Sequence, residues 1–221
     1  MNAEAISLPR VGARPGWSRA AWRLVRREPG LACGALVMLV LLAAALLPAL
    51  FASQSPYAID MGQALQAPSA AHLFGTDDTG RDVYARVIHG TRITLSICAG
   101  SLLLAAVVGG MAGAVSGFAG GWVDQILGRL VDVILSFPPI ILGMIVAGVL
   151  GAATRNLVLA LSVVYVPVFF RIARSGVLGE NGKTYVEAAR SVGLTESAIL
   201  WRHVLRNILP LLFVQYVILF P

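Results

Sequence analysis

The sequence has few charged residues and few cysteines, and each shortage excludes a class of protein. Only 13% of its residues are charged and 57% are hydrophobic, with a mean hydropathy of +0.80. These values lie outside the range of soluble globular proteins and indicate an integral membrane protein. Cys33 and Cys98 both lie in apolar runs. They provide neither a disulfide framework nor a metal site, and we interpret them as small buried hydrophobic residues.

The excess of basic residues does not indicate nucleic-acid binding. The formal net charge is +6, but the arginines are grouped beside apolar runs, where they set membrane topology and meet anionic lipid. Residues 1–30 form a basic segment with Trp17 and Trp22, which we interpret as an interfacial cytoplasmic segment. The apolar run that follows is too long for a signal peptide. The arginines of this segment are Arg10, Arg14, Arg19, Arg23, Arg26 and Arg27.

Uncharged apolar runs predict an all-α, polytopic membrane protein. The predicted spans are 31–52, 93–115, about 127–150, 157 to about 178, and an incomplete fifth span from 208 to 220. Pro138 and Pro139 are expected to bend the third span, and Pro167 the fourth. The positive-inside rule places the N-terminus in the cytoplasm and residues 53–90 outside.

Two features inside the predicted spans have a local interpretation. Gly109 and Gly113 form a G-x-x-x-G pattern, which allows close approach of helix backbones, and we favour packing within this chain over a dimer motif. Asp132 is a lone acid near the start of the third span, where a proton relay is one hypothesis. An ion pair with Arg129, three residues before it, is the favoured interpretation.

Residues 184–210 form the longest polar interruption after the first span. Thr184 and Glu187 match a capping box, and Gly193 supplies the residue without a Cβ that a helix end favours. Thr195, followed by Glu196, predicts a second helix start. The segment is therefore predicted to be a short helix, a glycine break and a longer helix, an elbow suited to docking on another protein.

The order Glu187-Ala188-Ala189 followed by Gly193 resembles the cytoplasmic E-A-A-x-x-x-G loop of ABC-importer permeases. In that family, the helix of this loop inserts into a cleft on the ATPase subunit. The family pattern continues with Leu-Pro about a dozen residues after the glycine. Here that position is Leu205-Arg206, and the nearest Leu-Pro is Leu209-Pro210. The resemblance implies an ATPase-coupling loop containing Tyr185, Glu187, Ala188, Ala189, Gly193, Leu205 and Pro210.

A second polar segment precedes the second predicted span. Its glycines and alternating charges predict a tight, charge-paired turn. The order resembles the segment before the second span in the dipeptide, oligopeptide and nickel branch of these permeases. The residues that carry this resemblance are Gly75, Thr76, Asp77, Gly80, Arg81 and Asp82.

Two other interpretations of this segment were weighed. Asp78-Thr79-Gly80 matches an aspartic-protease triplet, but its charged flanks are unlike the apolar strands of that site. The acids and histidines of the segment could also bind a divalent cation. A solvated, salt-bridged turn is favoured over a metal site, because Arg81 and Arg86 alternate with the acids. The candidate ligands would be Asp77, Asp78, Asp82, His72 and His89.

The resemblance implies the fold and partners of a type I ABC-importer transmembrane domain. About five spans are present, and we expect a truncation before a sixth. The chain would be a non-catalytic, multi-pass subunit of the bacterial inner membrane, transporting peptides or related solutes such as nickel chelates. It would pair with a second permease, two cytoplasmic ATPases that bind ATP and magnesium, and an extracytoplasmic solute-binding protein. No cofactor is expected in this chain.

Two other classes remain open from the sequence. A secondary transporter or channel usually carries ionisable groups at mid-membrane depth, and residues 31–52, 93–115 and 157–170 have none. An intramembrane protease would need a histidine beside one of the span serines, and none is placed in a neighbouring span. These serines are Ser96, Ser101, Ser116 and Ser162.

Overall fold

The computed structural model describes residues 29–151 and 153–220. Within these ranges the chain forms helices and turns and no β-strand, so the predicted all-α fold is confirmed. The structure divides after Arg92 into two units, which are described separately. Of the basic segment predicted over residues 1–30, residues 1–28 lie outside the described residues.

The first unit begins with two helices, α1 (Pro29–Leu46) and α2 (Pro48–Phe51). Leu47 has an extended φ of −130°, and Pro48 occupies the first helical position of α2, where its missing N–H costs nothing. The run predicted as one span over residues 31–52 is therefore divided at Leu47. Residues 53–82 are mostly irregular, with one 3₁₀ turn over Met61–Gln63.

Helix α3 (Val83–Ala119) starts ten residues before the predicted second span and contributes its larger part to the second unit. The helices that follow are α4 (Gly121–Leu135), α5 (Pro139–Leu150), α6 (Thr154–Asn181), α7 (Thr184–Ser191), α8 (Glu196–Ile199) and α9 (Leu205–Leu219). A π-helical turn over Leu200–Val204 joins α8 to α9.

Three helices in the described ranges are long and apolar enough to cross a membrane: α3, α6, and the continuous helix Glu196–Leu219. A fourth crossing is formed if α4 and α5 make one span, although their axes differ by 92°. The bend predicted at Pro138 and Pro139 is therefore confirmed, and it is sharp because α4 ends before these prolines and Pro139 starts α5 as its first residue. The fifth predicted span is longer than expected, since its helix begins at Glu196 and accommodates Pro210 internally.

The glycines of α3 bring its backbone against α6. A Cβ atom on Gly109 would lie 2.4 Å from the carbonyl oxygen of Val166, and one on Gly113 would lie 2.2 Å from that of Phe170. Both distances are impossible for real side chains, so only glycine permits this contact. The predicted packing of the G-x-x-x-G pattern within the chain is confirmed.

A buried cluster holds the second unit together. Phe169, Ala173 and Val177 of α6 contact buried residues from α3, α7 and the Glu196–Leu219 helix. The outer faces of the helices carry many exposed apolar side chains, as a lipid-facing or subunit-facing surface does. The prediction of buried cysteines is wrong for Cys33, which is exposed in the apolar helix α1, while Cys98 is half-buried.

Candidate coupling site

Helix α7 begins one residue earlier than predicted. Its N-cap is Lys183, which has an extended backbone (φ −82°, ψ 147°), and no side chain caps the helix. Thr184 is therefore the first helical residue, and the capping box of Thr184 and Glu187 is not formed. The backbone N–H groups of Val186 and Glu187 donate to the Lys183 carbonyl oxygen instead, at 3.0 and 3.4 Å.

The end of α7 is the glycine stop that the sequence predicts. Gly193 has a φ of +81°, in the left-handed region that glycine adopts without strain. Its N–H donates to the carbonyl oxygen of Arg190 at 3.0 Å, and the N–H of Leu194 donates to that of Ala189 at 3.1 Å. This pair of bonds is a Schellman motif, which satisfies the last carbonyl groups of the helix.

The predicted second helix start at Thr195 is also confirmed. Thr195 Oγ1 accepts a hydrogen bond from the N–H of Ala198 at 3.4 Å, and Glu196 lies in the first turn. The helix then runs through the π-helical turn into α9 without a break. The elbow is consequently joined directly to a candidate membrane span.

The two faces of α7 differ sharply in exposure. Val186 is fully buried and Ala189 nearly so, both within the core cluster. Glu187 and Ala188 are exposed on the opposite side, and Val192 beyond them is 77% exposed. The Glu-Ala-Ala triplet therefore divides into two residues that face outward and one that anchors the helix.

Arg190 links α7 to the start of α8 across the elbow, a role that the sequence did not predict. Its Nε donates to Glu196 Oε1 at 2.9 Å and its Nη2 donates to Glu196 Oε2 at 3.2 Å, across the turn at Gly193. Nη2 also reaches Asn181 Oδ1 at 3.3 Å, and the guanidinium lies 6.0 Å from the centroid of the Phe118 ring. The hydrogen bonds to Glu196 raise the pKa of Arg190. The sequence signal for this contact is the pair of opposite charges, Arg190 and Glu196, on either side of Gly193.

A polar network fixes the start of α7 to α6 and α9. Glu180 accepts hydrogen bonds from Lys183 Nζ at 2.5 Å and from the Tyr185 hydroxyl at 2.7 Å. Asn207 of α9 donates to both the Glu180 carboxylate and the Tyr185 hydroxyl, at 3.3 and 3.1 Å. Burial, followed by the hydrogen bond to Glu180, raises the pKa of Tyr185.

The same end of the unit carries a second ion pair, between α4 and α6. Arg174 donates to both carboxylate oxygens of Asp124, and Ser116 at the end of α3 donates to one of them. Three helix ends therefore meet beside the elbow. The side chain of Asp132, by contrast, pairs with Arg171 at 3.4 Å in an exposed contact, so the predicted pair with Arg129 is wrong.

The last two residues of the predicted coupling loop belong to α9 and differ in their relation to α7. Leu205 is the first residue of α9, is partly buried, and packs against the core cluster. Pro210 lies five residues further along α9 and is exposed. The structure brings Tyr185 and Leu205 to one groove, while Pro210 does not line it.

The charged segment of the first unit forms the predicted tight turn. Asp77 accepts hydrogen bonds from Arg81 Nε at 3.0 Å, from Thr79 Oγ1 at 2.7 Å, and from Arg86. Desolvation of the Asp77 carboxyl group raises its pKa, but the bonds from Thr79 and Arg81 outweigh this effect and hold the pKa well below its ordinary value. The charge pairing is confirmed.

The remaining residues of this segment have structural contacts. Gly75 and Gly80 both have positive φ, and a Cβ on Gly80 would lie 1.7 Å from the Asp60 carbonyl oxygen. Thr76 is buried and accepts from the N–H of Gln66 at 2.8 Å. Near the start of α3, Asp82 Oδ1 accepts a hydrogen bond from the N–H of Ala85 at 2.6 Å.

His72 was weighed as a metal ligand and here contacts Asp82 and Gln63. Its Nδ1 lies 2.9 Å from Asp82 Oδ2, and its Nε2 lies 2.7 Å from Gln63 Oε1. Over the described ranges, no three side chains of histidine, cysteine, aspartate and glutamate come together as a metal site would require.

Several helices long and apolar enough to cross a membrane, joined to an elbow that is exposed on one face, define a polytopic membrane protein. The sequence profile of the binding-protein-dependent transport system inner membrane components matches residues 106–221. The chain belongs to this family, the type I permease domains of ABC importers, and is an inner-membrane component with several membrane-crossing helices.

The chain is also similar to named permeases. It is 35% identical over 185 residues to a dipeptide transport system permease protein of Alkalihalophilus pseudofirmus, covering 82% of this chain and 61% of the relative. A probable D,D-dipeptide transport system permease protein of Escherichia coli is 36% identical over 209 residues, or 94% and 69% of the two chains. A glutathione transport system permease protein of Pectobacterium atrosepticum is 33% identical over 192 residues, or 87% and 64%. The matched region thus spans between 61% and 69% of these relatives.

Proposed function

We propose that this chain is a permease subunit of an ATP-driven importer and couples to a cytoplasmic ATPase through α7. The observation that carries the proposal is the division of α7 into an anchored and an exposed face. Val186 and Ala189 fix the helix to the core, while Glu187 and Ala188 remain free to contact a partner. A helix held in this way transmits a displacement instead of absorbing it.

The connection from the elbow to the spans supports the same mechanism. The helix that starts at Thr195 continues to Leu219 without a break, and Asn207 within it is bonded to Tyr185 of α7. A displacement of α7 would therefore move α9 and, through Glu180, also the end of α6. Alternating access would follow if the two spans moved together relative to a second permease.

Short peptides are the proposed substrate class. The relatives are named as permeases for dipeptides, D,D-dipeptides and glutathione, which are all small peptide-like compounds. The proposed partners are a second permease, two ATPases that bind ATP and magnesium, and an extracytoplasmic solute-binding protein. The proposed orientation puts the N-terminus and α7 in the cytoplasm, in accord with the positive-inside rule. ATP hydrolysis would belong to the ATPases and not to this chain.

Glu187→Lys tests the proposal directly. The protein would be purified in mild detergent from its bacterial host, and the co-purifying ATPases would be quantified by mass spectrometry. Because the substitution reverses a charge on the exposed face of α7, we expect ATPase recovery to fall about tenfold or more, with unchanged membrane insertion. Arg155→Glu is the matched control, since it reverses an exposed charge at the other end of α6. Equal recovery with both variants, or normal peptide uptake by Glu187→Lys, would contradict the proposal.

A further inference from the structure

A groove of about 680 Å³ lies between the start of α7 and the helix Glu196–Leu219. Arg202, His203 and Arg206 line one part of it, and Trp201 and Leu209 provide apolar walls. All five side chains belong to exposed residues. The groove is thus basic at one end of the helix and apolar further along it.

Arg202 and Arg206 give this groove a positive charge. Within the described ranges, neither Arg202 nor Arg206 forms an ion pair. Glu180, which is bonded to the groove residues Tyr185 and Asn207, is already paired with Lys183. Like charges four residues apart on a helix repel each other, so an anion from outside the chain would stabilise this arrangement.

A second groove borders the first along the helix Glu196–Leu219. It has a volume of about 450 Å³, lies between α3 and α9, and is lined almost entirely by apolar side chains. Trp201, Leu205 and Leu209 line both grooves. From Trp201 to Tyr216 the helix rises about 22 Å at 1.5 Å per residue, which is close to the length of an extended acyl chain. A basic groove therefore shares a wall with an apolar groove of about the length of an acyl chain.

We propose that this double groove binds one anionic phospholipid. Its phosphate group would lie against Arg202 and Arg206, and an acyl chain would follow α9 past Leu209. Trp201 is 44% exposed at the junction, the position that tryptophan favours at a membrane–water boundary. A lipid held there would contact both α7, through Tyr185, and α9, and would stabilise the elbow.

An acidic surface of a partner protein is the competing occupant for the arginines. It would account for the positive charge but not for the apolar groove that shares Trp201, Leu205 and Leu209 with the basic one. A ligand with an anionic head and an apolar chain matches both grooves, so their adjacency favours lipid. The competing occupant is an outcome of the experiment below.

The experiment measures quenching of Trp201 fluorescence by lipid. The full chain is reconstituted in vesicles of dioleoylphosphatidylcholine that contain 20% of either brominated phosphatidylglycerol or brominated phosphatidylcholine. The difference between wild type and Trp201→Phe isolates the Trp201 signal. We expect stronger quenching by brominated phosphatidylglycerol, with the preference falling about fivefold for each of Arg202→Gln and Arg206→Gln. Arg155→Gln removes an exposed charge elsewhere and should leave the preference unchanged.

Two results would overturn the proposal. Equal quenching by the two brominated lipids in the wild type would mean that the groove has no preference for anionic lipid. Unchanged quenching in the arginine variants, together with loss of co-purified ATPase, would assign the arginines to a protein contact. Circular dichroism and detergent melting of each variant would identify a variant that fails to fold. For such a variant, Arg202→Lys or Arg206→Lys would be used instead, since lysine keeps the positive charge. Failure of this proposal is distinguishable from failure of the proposed docking through Glu187, because the quenching by the two lipids does not depend on ATPase recovery and Glu187→Lys leaves both arginines in place.

Discussion

Arg174 and Asp124 form a two-pronged ion pair that fastens α4 to α6. Nε of Arg174 lies 2.5 Å from Asp124 Oδ1, and Nη2 lies 2.6 Å from Oδ2. Ser116 Oγ donates to the same carboxylate at 2.5 Å, so the end of α3 joins the pair. The planar guanidinium and carboxylate groups match each other, which makes this geometry both strong and directional. The side chain of Asp124 is 23% exposed, so water competes only partly for it.

We expect Asp124→Asn to lower the free energy of unfolding by about 1–3 kcal/mol, because charge-assisted hydrogen bonds to Arg174 and Ser116 are lost. Urea denaturation in mild detergent would measure the change, and a double-mutant cycle with Arg174→Gln would isolate the pair. Asp132→Asn is the control. Its pair with Arg171 is long and exposed and should contribute less than about 0.5 kcal/mol. A larger loss for Asp132→Asn than for Asp124→Asn would contradict this ranking.

Gly113→Ala should separate α3 from α6. The added Cβ would lie 2.2 Å from the Phe170 carbonyl oxygen, and backbone cannot move aside as a flexible side chain does. We expect a destabilisation of about 1–3 kcal/mol, the usual cost of overpacking. Gly90→Ala lies in the same helix with nothing within 4 Å of its Cβ, and should be neutral or stabilising by up to about 1 kcal/mol. Detergent melting of the two variants would make the comparison, and equal melting temperatures would contradict the close contact.

The turn at Asp77 should loosen on acidification. The pKa of Asp77 is depressed in the folded protein, so its stabilising contribution is complete above the unfolded pKa of about 4. That contribution is lost as the pH falls from this value through the lower, folded pKa. We expect cleavage by pepsin between residues 60 and 86 to increase steeply below about pH 4 in the wild type. Asp77→Asn should be cleaved readily throughout the acidic range in which pepsin is active, and Asp78→Asn, which changes an exposed neighbour, should behave as the wild type. A similar profile for all three proteins would refute the prediction.

The features that the sequence predicted correctly depend on consecutive residues. Gly193 stops α7 and Thr195 starts the next helix because each acts on backbone groups within a few positions. The Gly109 and Gly113 pattern was correct for a similar reason, since a repeat of four residues places two glycines on one helix face. The sequence located the Glu-Ala-Ala triplet. It did not show which of the three residues are exposed, because that depends on the helices that pack against α7.

The incorrect predictions depended on distant contacts. Asp132 is three residues from Arg129, yet it pairs with Arg171, thirty-nine residues away. Arg129 lies instead on a face of α4 shared with Trp122 and Gln125. Pro138 and Pro139 correctly predicted a bend in the third span, but the proline rule gives no angle, so the 92° between α4 and α5 could not be predicted from the sequence.

Gly193 permits a substitution series that separates backbone strain from steric fit. No atom lies within 4 Å of a Cβ built there, so only its φ of +81° restricts the residue. We expect Gly193→Asn to be tolerated, and Gly193→Ala to cost about 1–2 kcal/mol. Gly193→Pro should disrupt the turn, because its ring fixes φ near −65° and it removes the N–H bonded to Arg190. Hydrogen exchange of the Leu194 amide should accelerate in the order Asn, Ala, Pro. Equal exchange in Asn and Pro variants would contradict a requirement for positive φ.

Arg190 and Glu196 should set the angle of the elbow more than its stability. Their side chains are 40% and 59% exposed, so water screens the ion pair and it contributes little to the free energy of unfolding. We expect Arg190→Glu to leave the melting temperature nearly unchanged, but to accelerate exchange of amides 191–195 and to lower the recovery of co-purified ATPase. The charge exchange Arg190→Glu with Glu196→Arg restores the pair without the contacts of Arg190 to Asn181 and Phe118, so recovery should be partial. No recovery at all would assign the effect of Arg190 to those two contacts, and full recovery would assign it to the ion pair alone.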